Sequence, residues 1–253
     1  MSAILRKLLK NARPEFWNSS EADSLLQELE QLADDERKRK LWTYFPDTGP
    51  LRRELYPKHM EFFRLGLEHE ERAFMAANRV GKTESVGCYE LTLHLTGLYP
   101  DWWPGYRFYR PIRAWAAGDT GETVRDILQA KLLGPESERG TGVIPGDCIG
   151  TVRVRGGVSG AVDNVMVRHV SGGWSRLKFK SYEQGRKSFQ GTEQDVILLD
   201  EEPSIEIYNE CLIRTASTVP GRRGGLMLCT FTPLQGMSET VLYFLPEGAL
   251  EAI

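Results

Sequence analysis

Cysteine is scarce in this sequence, and none of it sits at metal-binding spacing. Cys88, Cys148, Cys211 and Cys229 are scattered through 253 residues with no C-x-x-C pair. That pattern excludes the usual zinc-ligand spacings and a disulfide framework, and it fits free thiols in a reducing compartment. Long apolar runs are also missing, since none approaches the roughly 20 residues that cross a bilayer. The start from Met1 to Lys10 has basic residues and leucines, but neither the apolar core nor the cleavage site of a signal peptide. No membrane is therefore expected among the partners. Nor is there an excess of one charge: 32 Lys and Arg against 35 Asp and Glu leave a formal net charge of −3. A wholly basic nucleic-acid coat is excluded, although a local basic stripe on an acidic body is not. Internal repeats and low-complexity tracts are absent.

What is present fits one large α/β domain with a small appendage, long enough to bury a core without disulfides or structural metal. Glu21 to Lys40 places Leu25, Leu26, Leu29 and Leu32 near helical spacing, after Ser20 as an N-cap. Phe45 to Pro50 reads as a turn-rich linker. Residues 1–50 are thus expected to form a helical arm and linker, 51–245 the core, and 246–253 the start of a further linker. Pro57 suits the first turn of a helix running toward His69. Strands are expected at Arg72–Ala76, Arg113–Ala117, Trp174–Lys180, Val196–Leu199 and Leu226–Phe231. Helices are expected at Lys82–Thr96, from Asp119 to Leu133, and at Ile205–Ser217. Val/Arg alternation at Thr151–Arg155 and again at Asn164–Val170 suggests a β-hairpin excursion. Strands alternating with helices imply a mainly parallel sheet with right-handed crossovers.

The run Phe74-Met-Ala-Ala-Asn-Arg-Val-Gly-Lys-Thr83 reads as a phosphate-binding loop of the Walker A kind, with Ala76 where the pattern has its first glycine. Between a strand and a helix, the backbone N–H groups of Ala76, Ala77, Asn78, Arg79, Val80 and Gly81 would face phosphates. Lys82 would reach the β and γ oxygens of ATP, and the Thr83 hydroxyl would ligate Mg²⁺. Leu199-Asp200-Glu201-Glu202 follows a buried strand and supplies carboxylates at the same sheet edge. Asp200 would hold Mg²⁺, and Glu201 would polarise the attacking water. An acidic strand-to-helix cap is the plainer reading of an isolated Asp-Glu-Glu. The preceding Gly-Lys-Thr and a later strand ending in threonine favour the nucleotide site.

These motifs together resemble the large terminase subunits of tailed phages. The likeness rests on Ala77-Asn-Arg-Val-Gly-Lys-Thr83, on Lys180 to Pro203 around the acidic pair, and on Cys229-Thr-Phe-Thr-Pro-Leu234, similar to that family's coupling motif. Tyr56-Pro57-Lys58-His59 sits where the family has an adenine-recognition element. The resemblance covers roughly Trp42 to Leu245. It implies a P-loop NTPase of the ASCE type that hydrolyses ATP with Mg²⁺ and moves double-stranded DNA, the phage genome, into a procapsid. Implied with it are a pentameric homo-oligomeric ring on the portal protein, help from a small terminase subunit, and work in the host cell cytoplasm. Thr230 or Thr232 would sense the γ-phosphate. The family's nuclease domain is expected to lie outside these residues, so no nuclease residue is assigned.

Several roles stay open on the sequence. Ala76 requires a turn that avoids positive φ or carries strain. His59 replaces the usual glutamine and cannot imitate a bidentate amide, so it is either an adenine contact or a helix-surface histidine. Arg79 and Arg186 are candidates for neutralising transition-state charge, Arg186 also across a subunit boundary, and either could instead be a surface ion pair. Candidate DNA-gripping clusters are Arg107, Arg110 and Arg113; Arg153 and Arg155; and Arg222 with Arg223. Trp102 and Trp103 could stack on bases but fit packing beneath a loop better. Two other functions remain: a helicase-like ATPase, which would need a second motor domain, and a nucleotide-gated assembly module with negligible turnover alone.

Overall fold

The computed structural model describes residues 20–221 and 223–245. Met1–Lys10, Arg222 and the 246–253 linker, on which expectations rest, lie outside the described residues. Helix α1, Ser20–Arg37, stops short of Lys40, and Lys40–Thr43 forms a separate 3-10 turn. Phe45, expected in a linker, is buried against the rings of Tyr56, His59, Phe63 and Tyr89. The linker is therefore pinned to the core by an aromatic side chain.

Seven strands form one sheet. They are β1 (Glu71–Met75), β2 (Arg113–Gly118), β3 (Ile149–Val154), β4 (Val162–Arg168), β5 (Trp174–Ser181), β6 (Val196–Asp200) and β7 (Leu226–Phe231). Their order is β1-β7-β6-β2-β5-β4-β3, parallel from β1 through β5. Strand β7 lies between the strand that feeds the phosphate loop and the strand that ends in Asp200, which is the ASCE arrangement. Every residue of β6 and β7 is buried, as expected of strands covered on both faces. The β3–β4 hairpin is not a free excursion. Strand β4 pairs antiparallel with β5 and widens the sheet, because Val162, Val165 and Val167 need a covered face.

Helix α2 (Pro57–Leu65) opens on its proline. The helix after the phosphate loop differs from a plain α-helix: Lys82–Cys88 is π-wound, and α3 (Tyr89–Thr96) continues it. A Cβ on Gly87 would come within 2.7 Å of Leu198, so glycine there lets the helix press against β6. Helix α4 starts at Gly121–Thr123 behind the Thr120 cap, passes through a π-wound Val124–Gln129 and ends at Ala130–Leu133. Helices α5 (Ile205–Thr215) and α6 (Glu239–Phe244) are capped by Ser204 and Ser238. One sheet face packs on Val86, Leu91, Leu93 and Leu132; the other on Ile207, Tyr208 and Val241. Trp102 and Trp103 join the first core, Trp103 lying 4.7 Å from the Phe63 ring. Packing, rather than base stacking, is their place.

A buried polar network anchors the loop-bearing strand to the loop-bearing helix. Arg72 on β1 bonds both Glu90 oxygens, at 2.7 and 3.2 Å. His94 Nε2 lies 3.1 Å from Glu90 and its Nδ1 2.8 Å from the Tyr99 hydroxyl. The Glu90 carboxylate only accepts, so Nε2 carries the proton and, in a neutral ring, Nδ1 accepts from the Tyr99 hydroxyl, which itself accepts from the Phe108 N–H. This neutral imidazole agrees with a pKa lowered from 6.5 by burial, against the raising effect of Glu90. Unfolding then takes up a proton as the pH drops through the unfolded value, so stability is lost on acidification. Urea midpoints are expected to fall between about pH 7 and pH 5, and His94→Gln should flatten that dependence. Equal pH dependence in the two proteins would remove His94 as the cause.

Candidate active site

Strand β1 ends at Met75, directly before the position of the pattern's first glycine. The Ala76 N–H still bonds the Phe231 carbonyl at 3.2 Å, and Ala76 is not among the residues with positive φ. No glycine is needed there. The left-handed positions fall later, at Arg79 (φ 66°) and Gly81 (φ 86°). Lys82 is buried, and its Nζ donates to Asn78 Oδ1 at 3.0 Å. The Thr232 hydroxyl lies 2.8 Å from the Ala76 carbonyl and 3.0 Å from Asn78 Oδ1. Thr232, after the end of β7, thus touches both ends of the loop's first turn.

Asp200 closes β6 and is buried beside that loop. The Thr230 hydroxyl donates to its Oδ1 at 2.8 Å, and the Thr83 side chain lies near enough to favour the charged carboxylate. Burial pushes its pKa up to about 6, while Thr230, Thr83 and the Lys82 charge pull the other way. Thr230 is fully buried, so of the two threonines proposed as sensors it holds the carboxylate, and Thr232 reaches the loop. Glu201 adopts a left-handed backbone (φ 64°), with its N–H on the Thr230 carbonyl at 3.0 Å. The Tyr182 hydroxyl lies 3.0 Å from the Asp200 carbonyl and 3.1 Å from that of Glu201.

A cleft of 660 Å³ opens beside the loop, lined by Phe45, Leu55, Tyr56, His59, Phe74 and Arg79 among others. Its walls are largely aromatic and aliphatic, suited to a flat base. His59 is buried there, with Nε2 3.3 Å from the Ser85 hydroxyl. It is no helix-surface histidine. Burial lowers its pKa, opposed by a hydrogen bond to the Val80 backbone. Arg79 is exposed on the cleft rim without an ion-pair partner among the described residues. Arg186 is not brought to this group. It opens an exposed 3-10 turn, Arg186–Phe189, anchored by buried Phe189 and by Lys180 Nζ, which donates to the Ser188 carbonyl.

The donors present fit a magnesium nucleotide. Lys82 has only Asn78 as a recorded partner for a three-donor ammonium. Glu202 Oε2 is buried with no partner among the described residues, an orphan acceptor on the same turn. No cluster of three or more His, Cys, Asp or Glu suited to a metal occurs among the described residues. A cation held by Thr83 and Asp200 must therefore complete its shell with phosphate and water oxygens.

Comparison with known proteins settles the family. The sequence family described as "Terminase large subunit, T4likevirus-type, N-terminal" matches residues 73–249. The chain belongs to the large terminase subunit family. The large terminase subunit of Salmonella phage P22 is 38% identical, over 75% of this chain and 41% of that protein. The chain thus spans under half the length of that relative. The large terminase ATPase domain of Thermus phage P74-26 overlays with a TM-score of 0.45 at 17% identity, covering 74% of this chain and 72% of that one. The large terminase of a thermophilic bacteriophage, in complex with ADP, gives 0.40 at 13% identity, covering 78% and 38%.

This terminase chain also contains a contact that the motifs do not show. Glu84, next after Thr83, receives Lys131 Nζ at 2.6 Å, Lys40 Nζ at 2.5 Å and the Tyr44 hydroxyl. Burial alone would raise its pKa, but these three bonds hold it at about 2. The segment Lys40–Phe45 is thereby tied to the first turn after the loop. Adjacency to Gly-Lys-Thr was the only clue available in the sequence, because the partners lie about 40 residues away on either side.

The non-glycine residues with positive φ among the described ones are Phe45, Arg79 and Glu201, all at this site. Arg79→Gly should therefore keep or raise the thermal midpoint, stabilising by up to about 1 kcal/mol, because glycine adopts that backbone freely. Ala76→Gly should lower the midpoint, destabilising by about 0.4–1 kcal/mol through unfolded-chain entropy. Calorimetric melts of both variants check this, and the opposite order would contradict the placement of the turn.

Proposed function

We propose that this terminase domain is a Mg²⁺-dependent ATP hydrolase that drives DNA packaging, moving the double-stranded phage genome into a procapsid. The observation that carries the reading is the junction of Thr83, Asp200 and Thr230 beside buried Lys82. Membership of the family supports the packaging role. The aromatic cleft takes the base, with Tyr56 and His59 on its wall. His59 fixes the cleft to the loop through Ser85 and Val80 rather than imitating an amide. Backbone N–H groups from Ala76 to Gly81 and the Lys82 ammonium grip the phosphates. Thr83 and Asp200 would hold a magnesium ion, which would supply charge neutralisation for the phosphates.

Glu201 orients and deprotonates the attacking water, and its strained backbone turns it out from the strand end. Arg79, exposed and unpaired on the rim, neutralises charge developing on the transferred phosphoryl group from within the same subunit. Arg186 acts across a subunit boundary, since its turn is exposed and its guanidinium has no partner among the described residues. Thr232 registers loss of the γ-phosphate through Asn78 and the Ala76 carbonyl. The proposed partners are duplex DNA, the portal protein, a small terminase subunit and neighbouring copies in a pentameric ring, in the host cytoplasm.

Lys82→Ala is expected to weaken ATP binding at least about tenfold by titration calorimetry, as it removes a charge-assisted phosphate contact. Unaltered affinity would count against the loop assignment. Glu201→Gln should bind ATP normally yet lose turnover by roughly 10²–10⁴-fold in an assay supplied with DNA and procapsids. Normal turnover in that assay would remove Glu201 from the water-activating role.

A further inference from the structure

The opposite edge of the sheet, where β2, β5, β6 and β7 begin, carries a second cleft of 940 Å³. Its lining includes Arg107, Arg110, Arg113, Arg176, Arg214 and Arg223, against the carboxylates of Glu193 and Asp195. Two basic clusters far apart in the sequence, Arg107 to Arg113 and Arg223, meet here. Arg153 and Arg155 do not join them, since they lie along the β3–β4 hairpin, where Arg155 bonds the Phe179 carbonyl.

Nearby carboxylates offset Arg110, Arg214 and Arg223, but among the described residues none pairs with the Arg113 or Arg176 guanidinium. Asp195 is already engaged by both Arg110 guanidinium nitrogens, at 2.6 and 3.3 Å, and by the Arg113 backbone N–H. Arg223 lies across the Gly66 and Leu67 carbonyls at 2.7 and 2.9 Å and over the Tyr106 ring. Those contacts fix its position, and the Glu70 carboxylate, with Oε1 3.8 Å from Nε, offsets part of its charge. Arg113 and Arg176 are exposed, with no side-chain hydrogen bond or ion pair among the described residues, and they face each other in the β2–β5 register. Like charges directly across a strand pair oppose folding, so the pair has no structural benefit to explain it. From β7 across β6 and β2 to β5, the segments that carry Arg223, Arg110, Arg113 and Arg176 span three strand spacings, roughly 14 Å. That length matches several charges along a nucleic-acid backbone. The fork of arginine also suits phosphate oxygens.

We infer that this cleft grips the phosphate backbone of duplex DNA, with Arg113 and Arg176 as its unpaired contacts. This places the track at the end of the strands away from the nucleotide, linked to it by β2, β6 and β7. The inference rests on the packaging reading for its choice of duplex.

The test is fluorescence anisotropy of a labelled duplex with the full chain across a salt series, with ATP affinity measured on the same samples. R113A/R176A should weaken duplex binding about tenfold near 100 mM salt and reduce the salt slope by about 2, with ATP affinity unchanged. R153A/R155A should change duplex binding little. Equal loss in both variants would reduce the effect to general charge and overturn the inference. So would tighter binding of single-stranded DNA of equal length, or cleft-dependent binding of polyglutamate without duplex binding, which would point to an acidic protein. A chain that binds ATP but no duplex sinks this inference alone, whereas a chain that binds no ATP sinks the nucleotide reading.

Discussion

A carboxylate at the end of a fully buried strand needs favourable polar neighbours, and Asp200 finds a donor in Thr230 and further support from Thr83 beside it. That arrangement joins three elements at one point: the loop-bearing helix, β6 and β7. Even with those groups and the Lys82 charge favouring the anion, burial leaves its pKa raised to about 6. The same geometry leaves a half-satisfied anion beside a buried ammonium, a poor arrangement for an empty core and a good one for a magnesium nucleotide. Stability and chemistry thus compete at Asp200, and the surrounding packing holds the compromise in place.

Strain follows the same distribution. Positive φ at Phe45, Arg79 and Glu201 costs of the order of 1 kcal/mol each, and two of the three are held there by their neighbours. Phe45 is locked by a cage of rings, and Glu201 by the Thr230 carbonyl and the Tyr182 hydroxyl. On the helix side, Glu84 binds Lys40, Tyr44 and Lys131, so the segment that precedes the core also restrains the loop. Gly87 completes this by allowing the π-wound turn to lie directly on Leu198. A displacement at the phosphates therefore has rigid routes into β6, β7 and the Lys40–Phe45 segment.

The parallel core was legible because its strands are continuous apolar runs and its helices carry recognisable caps. Lys82, Thr83 and Asp200 were legible because phosphate and metal chemistry demands those residue types at the ends of such strands. Ala76 reads as a missing glycine, although its N–H still bonds the Phe231 carbonyl and the left-handed turn falls later, at Arg79. His59 looked equally suited to a helix surface, and only its packing against Phe45, Phe74 and Ser85 shows it inside the cleft wall. Thr230 and Thr232 are indistinguishable in a Thr-Phe-Thr run. Strand β7 ends at Phe231 between them, so Thr230 stays in the ladder beside Asp200 while Thr232 leaves it and reaches the loop.

The sequence by itself determined the alternation of strands and helices, the nucleotide-type motifs at two strand ends and the family those motifs resemble. Each depends on local spacing and residue chemistry, which a linear chain displays in full. Tertiary structure decided which side chains meet. It joined Lys40 and Lys131 at Glu84, separated the two threonines, set the β3–β4 hairpin on the sheet edge, and gathered arginines from distant segments into one cleft. The reason is that strand order in a sheet is not sequence order. With β7 between β1 and β6, and β5 beside β2, residues tens of positions apart become neighbours that no periodicity along the chain could announce.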